Sequence, residues 1–465
     1  MKPDVSVPTG ADSVVRTPAP SSSRPWTTVF VLQFLYMVSM LDRNLIALLV
    51  QPMKRSLGIT DFQVSLLQGT AFGLFYVLCG FGAGWLLDLF PRRRIVFWGV
   101  TLWSLCAAGC GLAATYWQLL LGRFGVGSGE AVLSPASYAM ISDQFPRRRL
   151  GFAMGVWATG STFGGALSLV LGGFVVTWLT ARGDVAVPLL GTFQPWQQAF
   201  LVFGLPGLLA APLVYLISPR VDRPAQPRGR SAGEDGPELL PFIAGRRRYL
   251  FFHFTGYGLV TLVAYGQSAW LPTYLLREFN ANLAAVGSGI ALAGATGGVL
   301  GFLLSGRVTD RMMGRGRLDA HFHYSLYAAL GLTASGVAAI FAPGPELCIL
   351  ATLGAYVSMS ISGIAAANLQ LATPAPLRAR VSSLYIIAVN VTGLCLGPSV
   401  VAGFTDFLFG DPAKVGWSIL LTYVITGPLA ALAFHLGRPA CTEALRDAAD
   451  DLPRRPTRII SAEQS

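Results

Sequence analysis

Four ionisable residues stand in stretches that are otherwise almost wholly apolar. Asp42 and Arg43 fall within Thr28–Val50, and Arg123 and Glu130 within Trp117–Met140. An ion at bilayer depth costs at least ~2.5 kcal/mol on insertion scales, so each needs a partner or a purpose. Arg123 and Glu130 are two helical turns apart and share one helix face. Two acids and two bases form a neutral set. A carboxylate removed from water favours its protonated form, and a neighbouring guanidinium favours the ionised one. Making and breaking such a pair therefore moves a proton. Arginine keeps its charge and grips a carboxylate or phosphate in two prongs. The pattern points to Asp42 and Glu130 as proton carriers, with Arg43 and Arg123 as gate and anion anchors. The competing account is a static salt-bridge cluster that ties the two helices together. Asn44, Tyr257, Asn368 and Asn390 are further candidates for substrate contact, and His253 is either interfacial or a second proton site.

The elements that hold these residues are long and apolar. Of 465 residues, 53% are hydrophobic and 12% charged, about half the charge of a soluble domain. Runs of the ~20 apolar residues that a spanning helix needs occur at Thr28–Val50, Val64–Leu87, Ile95–Ala114, Trp117–Met140, Gly151–Leu179 and Trp196–Ile217. A second six follow at Tyr249–Leu275, Leu283–Val308, Tyr324–Ala342, Leu347–Leu371, Ser382–Phe404 and Val415–Leu436. The expected fold is an all-α membrane protein of twelve transmembrane helices, numbered here as spans 1 to 12. The expected parts are a disordered tail (1–25), a six-helix bundle (26–218), a linker (219–248), a second bundle (249–437) and a charged tail (438–465).

The net charge of +11 is read as a topology signal, with no nucleic-acid partner. If both termini are cytoplasmic, 27 of the 34 Lys and Arg fall on the cytoplasmic side and five outside, Arg43 and Arg123 being the other two. That predicts a multi-pass protein of the cell membrane with both termini inside. Five of the six cysteines lie within apolar segments and none forms a CxxC pair, so no disulfide framework, metal or other cofactor is expected. The Ser/Pro/Thr-rich start lacks a signal-peptide core.

Two strings repeat six spans apart. Gly84-x-x-x-Asp88 followed by Arg92, Arg93 and Arg94 is echoed by Gly306-x-x-x-Asp310 followed by Arg311 and Arg315; the Pro146-Arg cluster before span 5 is echoed by Pro376 to Arg380 before span 11. A duplicated six-helix unit follows. Glycines four apart in spans 2, 5, 8 and 11 allow close helix contact and mark these four spans as a sliding interface between the halves. With these strings the chain resembles a major facilitator superfamily transporter from about Trp26 to Leu436. The first loop departs from that family's signature at Leu89 and Pro91. The string Gly125-x-Gly127-x-Gly129-Glu130-Ala131 with Ser142-Asp143-x-Phe145-Pro146 resembles the spinster-like subfamily. Leu41-Asp42-Arg43-Asn44 and Leu57-Gly58-Ile59-Thr60-Asp61 resemble the same region in the spinster-like and the anion:cation symporter subfamilies alike, and do not choose between them.

The resemblance implies two pseudo-symmetric six-helix bundles around a cavity lined by spans 1, 4, 7 and 10. It implies a cytoplasmic gate at Gly84, Asp88, Arg92, Arg93, Arg94, Gly306, Asp310 and Arg311. It also implies alternating access with a lysolipid or other amphiphilic anion as cargo, or a small anion such as a sugar acid. The expected partners are that substrate, protons and the bilayer, with the protein acting as a monomer. A lipid-modifying enzyme would call for a nucleophile with its base or a metal cluster. His321-x-His323 has no acid or Cys cluster beside it, and no filter of a channel is visible. A non-transporting sensor remains the other class of reading.

Overall fold

The computed structural model describes residues 24–145, 147–188, 191–219, 238–374 and 377–450. Twelve helical segments succeed one another, six on each side of the central linker. Eight of them are long and apolar enough, by length and composition alone, to cross a membrane.

Span 1 is the helix Arg24–Leu57. Span 2 starts at Asp61 behind a reciprocal cap, in which Thr60 Oγ1 accepts from the Gln63 amide and the Gln63 side chain accepts from that of Thr60. Thr60, of the two expected caps, is the one used. A π-helical turn at Leu66–Thr70 then interrupts the span before Ala71–Leu89. Span 3 is Arg92–Cys110. Span 4 is broken into Tyr116–Glu130 and Leu133–Ser142. Span 5 is Arg147–Arg182, and span 6 is Pro195–Ala210 continued by the 3-10 turn Ala211–Leu216. Between them Val185–Val187 pairs antiparallel with Gly191–Phe193.

In the second half, span 7 is Arg247–Phe279, span 8 Leu283–Gly314 and span 9 Ala320–Ile340. Span 10 is broken into Pro345–Met359 and Ser362–Ala372, six spans after the equivalent break in span 4. Span 11 joins Arg378–Val389, a π turn at Asn390–Cys395, Gly397–Gly403 and a second π turn at Phe404–Phe409. Span 12 is Val415–Asp450.

Two boundaries differ from expectation. The last helix continues past Gly437 to Asp450. Arg438 bonds Asp319 at 2.6 Å, and Ala440, Cys441, Ala444 and Leu445 are buried, so this segment is packed rather than a free tail. The linker ends in a short helix, Leu239–Gly245, and span 7 already begins at Arg247. The rest of the linker, Pro146 and Pro376 lie outside the described residues.

The start of span 1, the end of span 6, the start of span 7 and the end of span 12 share one face, called here the termini face; the β-hairpin lies on the opposite one, the hairpin face. One core cluster fills the first half around Phe72, Trp103 and Met140. The larger one runs through the second half and crosses near the hairpin face to take in Leu49, Met53, Val64 and Leu67. The halves are thus welded on the hairpin side. There the π turn of span 2 abuts the π turn of span 11: a Cβ on Gly69 would lie 2.4 Å from the Leu394 carbonyl. Span 5 meets span 8 where a Cβ on Gly287 would lie 2.3 Å from Leu169 O. Toward the termini face Gly80, Gly155 and Gly306 face no atom within 4 Å.

The expected glycine interface is only partly of this kind. Gly160 and Gly164 of span 5 fit against Gln33 and Met37 of span 1, and Gly297 and Gly301 of span 8 against span 10. These pairs bring helices together within a half, where no sliding is needed.

Candidate functional site: a buried charge cluster between spans 1, 2 and 4

Arg43 and Glu130 form an ion pair at 2.5 Å, with Arg43 Nη2 donating to Glu130 Oε2. The same oxygen accepts from Ser39 Oγ at 2.9 Å. The pair sits at a boundary: the Glu130 side chain is 1% exposed and that of Arg43 15%. Arg43 lines a cavity between the halves, together with Asn44 and Gln68 of the first and Tyr265 and Ser268 of the second. Asp42 is one residue earlier, about 100° round the helix. It turns into the bundle, is 2% exposed and forms no ion pair among the described residues.

Arg123 is buried on the far side of the cluster. Its Nε donates to the Leu67 carbonyl at 3.0 Å, within the π turn of span 2. The Phe72 ring is shared by the two guanidiniums, 4.5 Å from that of Arg43 and 5.2 Å from that of Arg123. Each cation gains from the negative face of the ring, which lets two like charges sit close in a dry site. Gly127 makes this possible, because a Cβ there would lie 2.3 Å from the Phe72 carbonyl. Within the Gly-rich string before Glu130, Gly127 sets the approach of span 4 to span 2, while Gly125 and Gly129 face Cys106, Gly99 and Trp103 of span 3. Span 4 unwinds immediately after Glu130.

The cluster is only partly bonded. Asp42 Oδ2, Arg43 Nε, Arg123 Nη2, Glu130 Oε1 and both ends of the Gln68 amide are buried without a protein partner. Native interiors pair nearly all such atoms, so each exception calls for a physical explanation. Chemically, the arrangement can hold a proton on a carboxylate, exchange a carboxylate for an external anion at Arg43, and open to one face.

The remaining candidates lie elsewhere. Tyr257 is buried in the second half with its hydroxyl 3.0 Å from Ser325 Oγ. Asn368 is buried too, accepting from Tyr249 at 2.8 Å beside His321 and Cys441. Neither lines the cavity at Arg43. His253 is fully buried, 3.1 Å from the Ala365 carbonyl. Asn390 opens the span 11 π turn and is half-buried.

Of the termini-face residues, Arg92 bonds Asp143 at 2.5 Å and Arg93 the Ile217 carbonyl at 3.0 Å, both within the first half. Arg94, Asp310 and Arg311 are exposed, and Gly306 is open. The surroundings of Gly84 and Asp88 lie outside the described residues.

Sequence reasoning missed a second ionic site on the hairpin face. Asp61, fully buried, takes Lys54 at 2.6 Å and a two-pronged contact from Arg277 of span 7 at 2.7 and 2.8 Å. Asp406 of span 11 caps the same helix start by accepting from the Phe62 amide at 2.6 Å. Further bonds between the halves follow at Ser65–Ser399 and Thr70–Cys395. The available signal was that Lys54 and Arg277 are two of the few cations on that side of the chain.

The chain matches the Major Facilitator Superfamily over residues 32–398. An MFS-type efflux pump of Mycolicibacterium smegmatis is 27% identical over 426 residues, covering 89% of this chain and 92% of the relative. A probable L-galactonate transporter of Escherichia coli K12 is 26% identical over 314 residues, 65% of this chain and 66% of the relative. In fold, the chain superposes on the inward-facing, unoccupied crystal structure of a bacterial homolog of the human lysosomal transporter Spinster. The TM-score is 0.75 with 20% identity, covering 93% of this chain and 99% of that one. The family match and the twelve spans in two halves, closed on one face around a partly bonded charge cluster in the first half, lead to one conclusion: the chain is a multi-pass membrane transporter, not an enzyme, and belongs to the Major Facilitator Superfamily.

Proposed function

We propose that the protein is a proton-coupled transporter of organic anions, working by alternating access between halves 26–218 and 249–437. The observation that carries this reading is the Arg43–Glu130 pair at the cavity edge, one member sealed and the other reaching the cavity. While Glu130 is ionised it holds Arg43 through Nη2. A proton on Glu130 releases the guanidinium to an anion, so proton and anion load together as a neutral set. Asp42, buried beside Glu130 and Arg123 without an ion-pair partner, is the second proton carrier. On this reading the termini face is cytoplasmic, as the Lys and Arg distribution favours, and the described state is open to the cytoplasm.

The cargo has two readings. The neutral polar groups of Asn44, Gln68, Tyr265 and Ser268 beside Arg43, set among Ala47, Ala269, Leu394 and Pro398, favour a small hydrophilic acid, in keeping with the sugar-acid relatives. Tyr36 stacked on Trp157 at 4.9 Å, with Tyr138 against the same indole at 5.0 Å, favours an amphiphilic anion such as a lysolipid. Uptake into proteoliposomes under an imposed pH gradient tests both, with gluconate and lysophosphatidate as probes. Glu130→Gln and Asp42→Asn are each expected to remove the pH dependence while leaving a folded protein. If uptake in both variants tracks the gradient as in the parent, the cluster is a static clamp and the coupling reading fails.

A further inference from the structure

Gln68 is 92% buried, its residual exposure being 8%, yet neither end of its amide has a protein partner. It projects from the π turn Leu66–Thr70 into the cavity at Arg43. A buried amide left unpaired at both ends is costly, and a π turn is the kind of local irregularity that gathers at functional positions. Around it stand Asn44 of the same half and Tyr265 and Ser268 of span 7. The amino group of Asn44 already donates to the Met40 carbonyl at 3.1 Å, which leaves its side-chain oxygen as an acceptor.

We propose that Gln68, Asn44, Tyr265 and Ser268 form a specificity subsite that recognises a hydroxylated arm beside the single anionic group held by Arg43. The proposal rests on the Arg43 reading above and narrows it to a hydroxy monocarboxylate. A hydroxyl both donates and accepts, so vicinal hydroxyls can satisfy the Gln68 amide at its two ends and the Asn44 oxygen. A plain alkyl arm could pack only on Ala47, Ala269, Leu394 and Pro398 and would leave the Gln68 amide unanswered. A second carboxylate would meet no cation among the lining residues other than Arg43. Because Asn44 and Gln68 belong to one half and Tyr265 and Ser268 to the other, an arm bound here bridges the two halves in the state closed on the hairpin face.

The test measures affinity on the purified full chain, by calorimetry or ligand-induced thermal shift, for gluconate, glucarate and hexanoate. Gluconate is expected to bind at least tenfold more tightly than hexanoate or glucarate. Gln68→Leu should weaken gluconate about tenfold while leaving hexanoate within twofold, and Ser268→Ala should weaken gluconate to a lesser degree. The proposal is overturned if hexanoate equals gluconate in the parent, or if Gln68→Leu leaves gluconate unchanged. Arg43→Lys separates the two levels. If Arg43→Lys weakens all three acids while Gln68→Leu alters none, the anchor stands and the subsite falls. If Arg43→Lys weakens none, the anchor reading itself falls.

Discussion

At the residue scale, Arg43 and Arg123 carry the same charge and do different work. Arg43 reaches the cavity, whereas Arg123 is 1% exposed and bonded to Leu67. Arg43→Lys keeps the charge but loses the planar fork, so KM for the transported anion should rise about tenfold with little change in melting temperature. Arg123→Ala instead leaves Asp42 and Glu130 under-compensated in a dry site, a loss of about 3 kcal/mol that thermal unfolding in detergent should reveal. If the two variants behave alike, the division of roles is wrong. All four charges were legible in the sequence because ions stand out against apolar runs. Gln68 was not, since a lone amide in a span carries no pattern, and its significance lies in having no partner. Tyr257 and Asn368 show the opposite failure: polar groups in an apolar span are often spent on their neighbours, and sequence does not reveal which.

At the element scale, span order and the breaks that matter follow from composition only in part. The twelve runs were readable as hydrophobic stretches and the Thr60 cap as a short motif. The π turns of spans 2 and 11 were not, because they arise from packing of the two halves on each other. The hairpin-face latch belongs to this scale. Asp61 is the shared acceptor of cations from spans 1 and 7, so Asp61→Asn strands Lys54 and Arg277 in a buried site. The Lys54 contact lies within the first half and is lost in both states, whereas the Arg277 contact crosses the halves, so the penalty for stranding Arg277, about 2–3 kcal/mol, falls on the closed hairpin face and shifts the equilibrium toward the opposite state by roughly 30- to 100-fold. Labelling of a cysteine introduced at Ser268 by a membrane-impermeant thiol reagent from the hairpin face should then increase; unchanged labelling would reduce the latch to a local cap. On the termini face, Asp319 joins span 9 to span 12. Partial burial opposes its ionisation, but hydrogen bonds from Arg438 and Arg317 prevail and hold it below the usual carboxylate range. A depressed folded value means that the contribution is complete above the ordinary Asp range and is lost as pH falls through the folded value. The difference in melting temperature between the parent and Asp319→Asn should therefore be constant near neutrality, begin to shrink near about pH 4 and vanish only below the depressed folded value.

For the whole molecule, a six-fold offset of motifs announces two equivalent halves, but the halves are equivalent only in plan. The charge cluster lies in the first, while Arg277 and Asp406 of the second reach across to latch it. Which face is closed could not be read from the chain, because both states satisfy the same hydrophobic pattern and differ only in which end of spans 2, 5, 8 and 11 is in contact. Transport requires that the contacts now made be broken in every cycle. The Ser65 and Ser399 hydroxyls, 3.3 Å apart across the halves, offer the direct test. Replacing both by cysteine, in a background where the nearby Cys395 is Ala, should give a pair that oxidises readily in this state. Oxidation is expected to stop proteoliposome transport and a reductant to restore it, with each single cysteine indifferent to both. Binding of an anion from the termini face should survive the crosslink, since the cavity at Arg43 stays open on that side. Continued transport by fully crosslinked protein would mean that spans 2 and 11 never separate at Ser65, and that substrate leaves by another route.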